Sequence, residues 1–366
     1  LQEDIPLEIR LKWLAALHEQ LYSGSVLPEP YPVSLRVMNT IRLLCNRQLR
    51  NDNILRALYA ECNFLSGRFE YHLLGNHLLE NAFALMMGGA FFGKENWITK
   101  AATVLKKELE EQVLRDGGHF ELSPMYHQVI LFRVLELIDW YRNYSEKREL
   151  LLSYLDSTAA SMLGWLKSIS FSNGDIPHFN DSAPGIAYTT EQLLDYGNAL
   201  GIKIPENTAL SESGYRMYRF GQYECVVDVA AIGPVYQAGH GHADALSFVL
   251  NYRNRPVFVE AGTSTYDACT IRYYERSTAA HNTVVVNGAS QSEVWGAFRV
   301  GSRAITTVIK EEPDTIEARH NGYLKRFGVR HNRSFTFKEQ RVIIRDDISG
   351  KKAVDAIAIF HLHPHI

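Results

Sequence analysis

Four stretches of the sequence gather side chains that can move protons, hold charge or bind a metal ion. The first, Gly75-Asn76-His77-Leu78-Leu79-Glu80-Asn81, opens an apolar run that continues through Phe83, Leu85 and Met86. On a helix Asn76 and Glu80 lie four apart, as do His77 and Asn81, so polar groups gather on adjoining stripes of a greasy element. They either serve a ligand or close an internal hydrogen-bond network behind an N-terminal cap. The second runs from Asp116-Gly117-Gly118-His119 to Ser123-Pro124-Met125-Tyr126-His127, a glycine-rich loop entering a Ser-Pro helix start. Tyr126 in that first turn projects toward the loop face and keeps its hydroxyl near water, unless it merely anchors the loop. The third, Gly239-His240-Gly241-His242-Ala243-Asp244-Ala245, precedes a strand over Leu246 to Tyr252. Alternation along an extended chain puts His240, His242 and Asp244 on one face, which suits a metal or catalytic cluster; core histidines bonded to carbonyls are the plainer reading. Glu260, ending a strand, and His281, starting another, could complete a His-carboxylate-His site with His242. The fourth, Gly262-Thr263-Ser264-Thr265-Tyr266 with Arg272, Tyr273, Tyr274, Glu275 and Arg276, offers flat faces for sugar rings and forked donors for carboxylate or sulfate. Residue by residue, a packed loop explains it equally well.

The elements that position these groups fall into two halves. From Pro6 to about Leu200 apolar residues recur at three- and four-residue steps, as in Leu131, Val134, Leu135 and Ile138. Breaks at Gly24 to Pro32, Asn51 to Asn53, Gly88 to Lys94, Arg115 to Pro124, Ser145 to Lys147 and Ser172 to Pro184 leave about seven helices in successive hairpins, suggesting an α/α toroid or part of one. Beyond Ser213 the period changes to two, in Tyr223 to Ala230, Leu246 to Tyr252, Pro256 to Glu260, Thr283 to Val286, Val329 to Phe337 and Gln340 to Asp346. A β-sandwich is predicted there. The linker falls near Lys203 to Glu212, dividing a helical domain over 1–205 from a β domain over 206–366.

At 366 residues, 46% hydrophobic and 22% charged, the chain is too long for one comfortable core. A net charge of -3 supplies no global basic field, so nucleic acid is not the expected partner and an acidic ligand needs a local basic site. Cys45, Cys62, Cys225 and Cys269 lack metal-ligand spacing and read as buried thiols rather than a disulfide framework. No stretch approaches the roughly 20 apolar residues of a membrane span. Leu1 starts directly in an amphipathic segment without a basic leader, and Ala356 to His363 alternates like a strand; the expectation is that any leader the gene encodes has been removed and that further β structure follows the end.

Taken in order, the Gly75–Asn81 and Asp116–His127 motifs, Asn180-Asp181-Ser182, the Gly-His-Gly-His-Ala-Asp run, Arg276-Ser277-Thr278-Ala279-Ala280-His281-Asn282-Thr283 and Gln291-Ser292-Glu293-Val294-Trp295-Gly296-Ala297-Phe298-Arg299 resemble the heparinase II/III-like polysaccharide lyases. The resemblance covers about residues 75 to 335. It implies an incomplete α/α toroid joined to an antiparallel β-sandwich, with the active site in the cleft between them. It also implies β-elimination on a uronic-acid-containing polysaccharide, which requires neutralising the C6 carboxylate, removing the C5 proton and protonating the departing O4. By resemblance Asn76, with a protonated Glu80, neutralises the carboxylate. Tyr126 is the general acid, and also the base if its pKa is lowered by cationic neighbours. His240 or His77 is the base for the opposite C5 epimer. Tyr266 stands loosely at the family's second active-site tyrosine, and together with Glu80, and with Arg272, Arg276 and His127 read from their own chemistry, it is an expected substrate contact. His242, Glu260 and His281 match a structural zinc site, with Glu260 standing where the family usually carries aspartate. A periplasmic or secreted location is implied as well; the polysaccharide, endo or exo action and oligomeric state are not.

Two rivals remain open at this point. His240-Gly-His242-Ala-Asp244 echoes the HxHxD run of metal-dependent hydrolases, although Ala245 stands where that class places another histidine. A catalytically silent carbohydrate-binding protein that kept the fold is the other.

Overall fold

The computed structural model describes residues 5–144, 151–236 and 238–366. The described residues up to about 200 build eight helices, α1 (Leu7–Tyr22), α2 (Pro30–Asn46), α3 (Asp52–Ser66), α4 (Gly75–Phe91), α5 (Glu95–Gln112), α6 (Pro124–Tyr144), α7 (Leu152–Ile169) and α8 (Thr190–Ala199). Local chemistry sets several starts. The Asn51 side chain accepts from the amides of Asn53 and Ile54 to cap α3, and Thr189 and Gln192 form a reciprocal capping box on α8. The pattern predicted about seven helices; the additional break, at residues 67–74, separates α3 from α4, with Gly67 closing one and Leu74 and Gly75 both at positive φ before the other. The break expected at Ser145 to Lys147 lies outside the described residues.

The chain forms two compact units, Leu1–Glu111 with Arg133–Leu155, and Gln112–Phe132 with Asp156–Ile366. In the first, α2, α3 and α4 pack on one another. α4 is apolar nearly all round and buried on every side, as such a helix must be. Gly88 permits the closest approach, since a Cβ there would lie 2.5 Å from the Cys62 sulfur on α3.

The second unit is built on two four-stranded antiparallel sheets. One has the order β1 (Tyr215–Phe220), β2 (Tyr223–Asp228), β3 (Phe248–Tyr252), β4 (Arg255–Phe258). After it come α9 (Thr270–Glu275), β5 (Val284–Val286) and the short hairpin of β6 (Val294–Trp295) and β7 (Arg299–Val300). The other sheet has the order β11-β10-β9-β8, from β8 (Thr306–Glu312), β9 (Thr315–His320), β10 (Val329–Lys338) and β11 (Arg341–Gly350); α10 (Leu324–Phe327) precedes β10 and β12 (Ala356–Ala358) pairs with β5. Inward side chains of the two sheets share one core, Cys225, Val227, Phe248 and Leu250 meeting Ile316, Ala318, Phe335 and Phe337. The architecture is therefore a helical toroid followed by an antiparallel β-sandwich.

β2 is buried along its whole length because its other face is covered too, Val226 and Val249 packing on Trp165, Ile169, Phe171 and Phe179. That second core is why the compact units cut the chain differently from a division at residue 205: late helical residues group with the strands. β1 and β6 to β9 were not predicted. Six of the seven residues of β8 are exposed, so it carries no inward stripe for a period-two reading to find. Cys62 and Cys225 are buried as expected, but Cys45 and Cys269 are only half-buried. Among the described residues no helix is long and apolar enough to cross a membrane.

Candidate active site

In the second unit the glycine-rich loop delivers Tyr126. Asp116 closes the loop, accepting from Gly118 N and from the Ser213 amide and hydroxyl. Ser123 then starts α6, its hydroxyl accepting from Tyr126 N at 3.2 Å and donating to the Asp181 carbonyl at 2.7 Å. The Tyr126 ring stacks on His240, with centroids 4.1 Å apart and planes 10° apart, and its hydroxyl lies 2.9 Å from the Tyr266 hydroxyl. His240 donates from Nδ1 to Glu121 Oε2 at 2.7 Å. In the neutral imidazole this bond leaves the lone pair on Nε2, which has no protein partner among the described residues. Tyr126 and His240 are partly exposed, whereas Glu121 is enclosed.

Electrostatics divide the labour between them. Burial pushes the Tyr126 hydroxyl above its ordinary range and Tyr266 pushes it further, so Tyr126 holds its proton. Burial and Tyr266 thus both work against the lowering that a tyrosine base requires. Burial alone would lower His240, but the Glu121 carboxylate outweighs it and raises the imidazole.

Beneath this pair lies a fully enclosed layer organised by Asn180 and Asp181. Asn180, at φ 56°, donates to the Leu122 carbonyl at 2.9 Å and accepts from His242 N at 2.8 Å. Asp181 accepts from His242 Nε2 at 2.8 Å and from both terminal nitrogens of Arg272, that from Nη2 at 2.7 Å. Burial would raise the Asp181 carboxyl, yet these donors hold it down to about 2. Gly241 and Gly262 bring the surrounding loops against backbone: a Cβ would strike the Ile232 carbonyl at one and the Ser182 carbonyl at the other.

Several sequence expectations change. Arg272, Arg276 and His127 are completely or almost completely buried and cannot touch a substrate. Arg272 is committed to Asp181, Thr263 and the Ala297 carbonyl, Arg276 to the Gly241 and Gly296 carbonyls, and His127 to the Met162 carbonyl, with burial lowering its pKa to about 3. His240, His242 and Asp244 do not share a face. Turns replace the extended chain here, so His240 meets Tyr126 while His242 points inward to Asp181.

The metal ligands need the same scrutiny. Glu260 has both oxygens occupied, one by the Ser247 hydroxyl and the other by His281 Nδ1, so it orients His281 rather than offering a free ligand. Among the described residues no three His, Cys, Asp or Glu side chains form a ready metal cage. However, His242 Nδ1, His281 Nε2 and Asp244 Oδ2 are buried without a hydrogen-bond partner, and the two rings are 5.4 Å apart. These unpartnered atoms set Asp244 beside Glu260 as a candidate carboxylate for the implied metal.

Asn76, His77 and Glu80 belong to the first unit. Asn76 is buried at the start of α4, and the half-exposed His77 lies against Tyr31 with ring centroids 4.5 Å apart and its Nδ1 3.4 Å from Glu70. Glu80 is only 1% exposed, and Arg133 Nε donates to both of its oxygens at 2.9 and 3.0 Å. Burial raises the Glu80 carboxyl and Arg133 opposes the rise. Glu80 is thus spoken for inside the unit, against its expected place at the substrate. Glu121 and Asp181 were missed as functional residues. Both stood inside the quoted motifs, but nothing local distinguishes a carboxylate that will orient a histidine 119 residues away.

Comparison with known proteins agrees with this architecture. A sequence model described as Heparinase II/III N-terminus matches residues 52–201, and one described as Heparinase II/III-like, C-terminal matches 205–366. Heparin-sulfate lyases of Bacteroides stercoris and Pedobacter heparinus are 27% and 26% identical over 280 and 259 residues, which is 68% and 64% of this chain but only 41% and 39% of theirs. Among solved structures, a heparinase III superposes with TM-score 0.74 at 18% identity, covering 93% of this chain and 60% of that one. A heparan sulfate lyase from Pedobacter heparinus gives 0.69 at 21%, covering 92% and 56%. Two consecutive halves of one family pattern, met in order along the chain, and the same fold in its solved members establish that the chain belongs to the heparinase II/III family.

Proposed function

We propose that this chain carries the acid and base of a polysaccharide lyase that cleaves a glycosaminoglycan by β-elimination, leaving an unsaturated uronate end. The observation that carries the reading is the stack of Tyr126 on His240, with the histidine oriented by Glu121 and the tyrosine by Tyr266. His240 Nε2 takes the C5 proton. The C5–H electron pair becomes the C4–C5 double bond, the C4–O4 bond breaks with its pair on O4, and the Tyr126 hydroxyl protonates that oxygen. Glu121 acts as the positioning carboxylate, stabilising the imidazolium that forms, in the manner of a catalytic triad. Neutralising the C6 carboxylate is the part that resemblance gives to Asn76. The named relatives are heparin-sulfate lyases, which supports heparan sulfate as the first substrate to try. A structural zinc belongs to the proposal as well: His242 and His281, with Asp244 or Glu260, would hold it, and no step passes through it.

The test is a panel of uronate polysaccharides followed by ultraviolet absorbance, which rises as the unsaturated product forms. Tyr126→Phe is expected to lower kcat by about 10²- to 10⁴-fold with an unchanged melting temperature. Undiminished cleavage by that variant would sink the acid assignment. A wild-type chain that binds glycan without any rise in absorbance would favour the silent carbohydrate-binding reading instead.

A further inference from the structure

The β6–β7 hairpin has only two residue pairs, Val294 with Val300 and Trp295 with Arg299, too few to hold its own shape. Two buried arginines hold it from outside. Arg272 donates from Nε and Nη2 to the Ala297 carbonyl at 3.0 and 2.9 Å, and Arg276 donates from Nη1 to the Gly296 carbonyl at 3.1 Å. Arg272 is itself anchored on Asp181, and Arg276 on the Gly241 carbonyl. The turn of the hairpin is therefore fixed to the same enclosed layer that fixes His242 and backs the reactive pair.

What this clamp presents is Phe298. Its ring lies nearly parallel to Tyr266, with centroids 5.8 Å apart, and edge-on to His240 at 6.4 Å. The Arg272 guanidinium sits 5.5 Å from its centroid. Even so, 46% of Phe298 is exposed. A large apolar ring, rigidly placed in contact with both the histidine and the second tyrosine and left bare to water, is what a pyranose needs for docking, because sugar rings carry an apolar C–H face.

We propose that Phe298 is a specificity-determining residue of this site, stacking on the sugar unit next to the scissile bond, and that Arg272 and Arg276 are positioning residues that set its ring through the hairpin carbonyls. The inference rests on the lyase reading. Ligand recognition here is by ring face rather than by charge, which complements a site whose arginines are buried and unavailable to sulfate or carboxylate.

The experiment compares Phe298→Ala, Phe298→Leu and Phe298→Tyr in the full chain, with heparan sulfate as substrate and absorbance as readout, after melting curves confirm folding. Phe298→Ala is expected to raise KM about tenfold with kcat within about twofold, as for loss of a partly covered phenylalanine face. Phe298→Tyr restores the wild-type KM, and Phe298→Leu, apolar but not flat, does not. An unchanged KM in Phe298→Ala, a KM restored by leucine, or a loss confined to kcat would overturn the stacking role. If the wild-type chain yields no unsaturated product, the lyase reading fails alone, and retention on immobilised heparan sulfate tests Phe298 with the same three variants. Equal retention of Phe298→Ala and wild type, or no retention of either, would overturn the inference.

Discussion

Polar residues are buried in both units, but they are spent differently. On α4 the polar stripe closes on itself: Asn81 accepts from Glu70 N and donates to Ser34 and Glu70, and Glu80 is forked by Arg133. Around β3 and α6 the enclosed polar layer supports something outside itself, since Asn180, Asp181 and Glu121 all bond to segments that carry the half-exposed Tyr126, His240 and Tyr266. The difference teaches where to look for chemistry. A satisfied polar cluster inside a helix bundle is consistent with structure alone, whereas one that ends in a partly exposed tyrosine and an oriented imidazole is where a functional site is to be sought.

Substitutions can break or sharpen this contrast. The largest effect is expected from Asp181→Asn, which leaves the Arg272 guanidinium buried without its carboxylate; about 3–5 kcal/mol of stability should go, read by chemical unfolding. A loss under about 1 kcal/mol would show that the layer is not held by that ion pair. Next comes the metal. Elemental analysis of the purified chain should find zinc in wild type and Glu260→Gln and little in Asp244→Asn, with a lower melting temperature in the last. Zinc retained by Asp244→Asn and lost from Glu260→Gln would restore the carboxylate that the resemblance implies. The smallest effect belongs to the helical unit. Glu80→Gln keeps the shape, and Arg133 still reaches Glu136 at 3.0 Å, so the cost should be about 1.5 kcal/mol. A cost as large as that of Asp181→Asn would erase the distinction between the two regions.

Much of this was legible in the sequence and some was not, for physical reasons. The change of period from three-and-four to two reports which faces are buried, and burial is what the sandwich and the helices share. β8 escaped because almost nothing on it is buried. Tyr126 and His240 were readable because a loop-to-helix junction and a Gly-His-Gly-His run are local signals. The burial of Arg272 and Arg276 was not, because an arginine's exposure depends on whether a distant carboxylate or carbonyl reaches it. The case for Asp244 beside Glu260 as the metal carboxylate rests on the Ser247 and His281 bonds that occupy Glu260, which no spacing encodes.

The bond between Tyr126 and Tyr266 joins residues 140 positions apart, Glu121 meets His240 across 119, and Asp181 meets Arg272 across 91. Closing such long loops is slow and comes late relative to helix formation. During synthesis the tyrosine emerges well before the histidine, and the hairpin that bears Phe298 later still. The helical portion of the nascent chain thus emerges with Tyr126 but without His240, and on the proposed reading the pair comes together only when the last of these separated segments has folded.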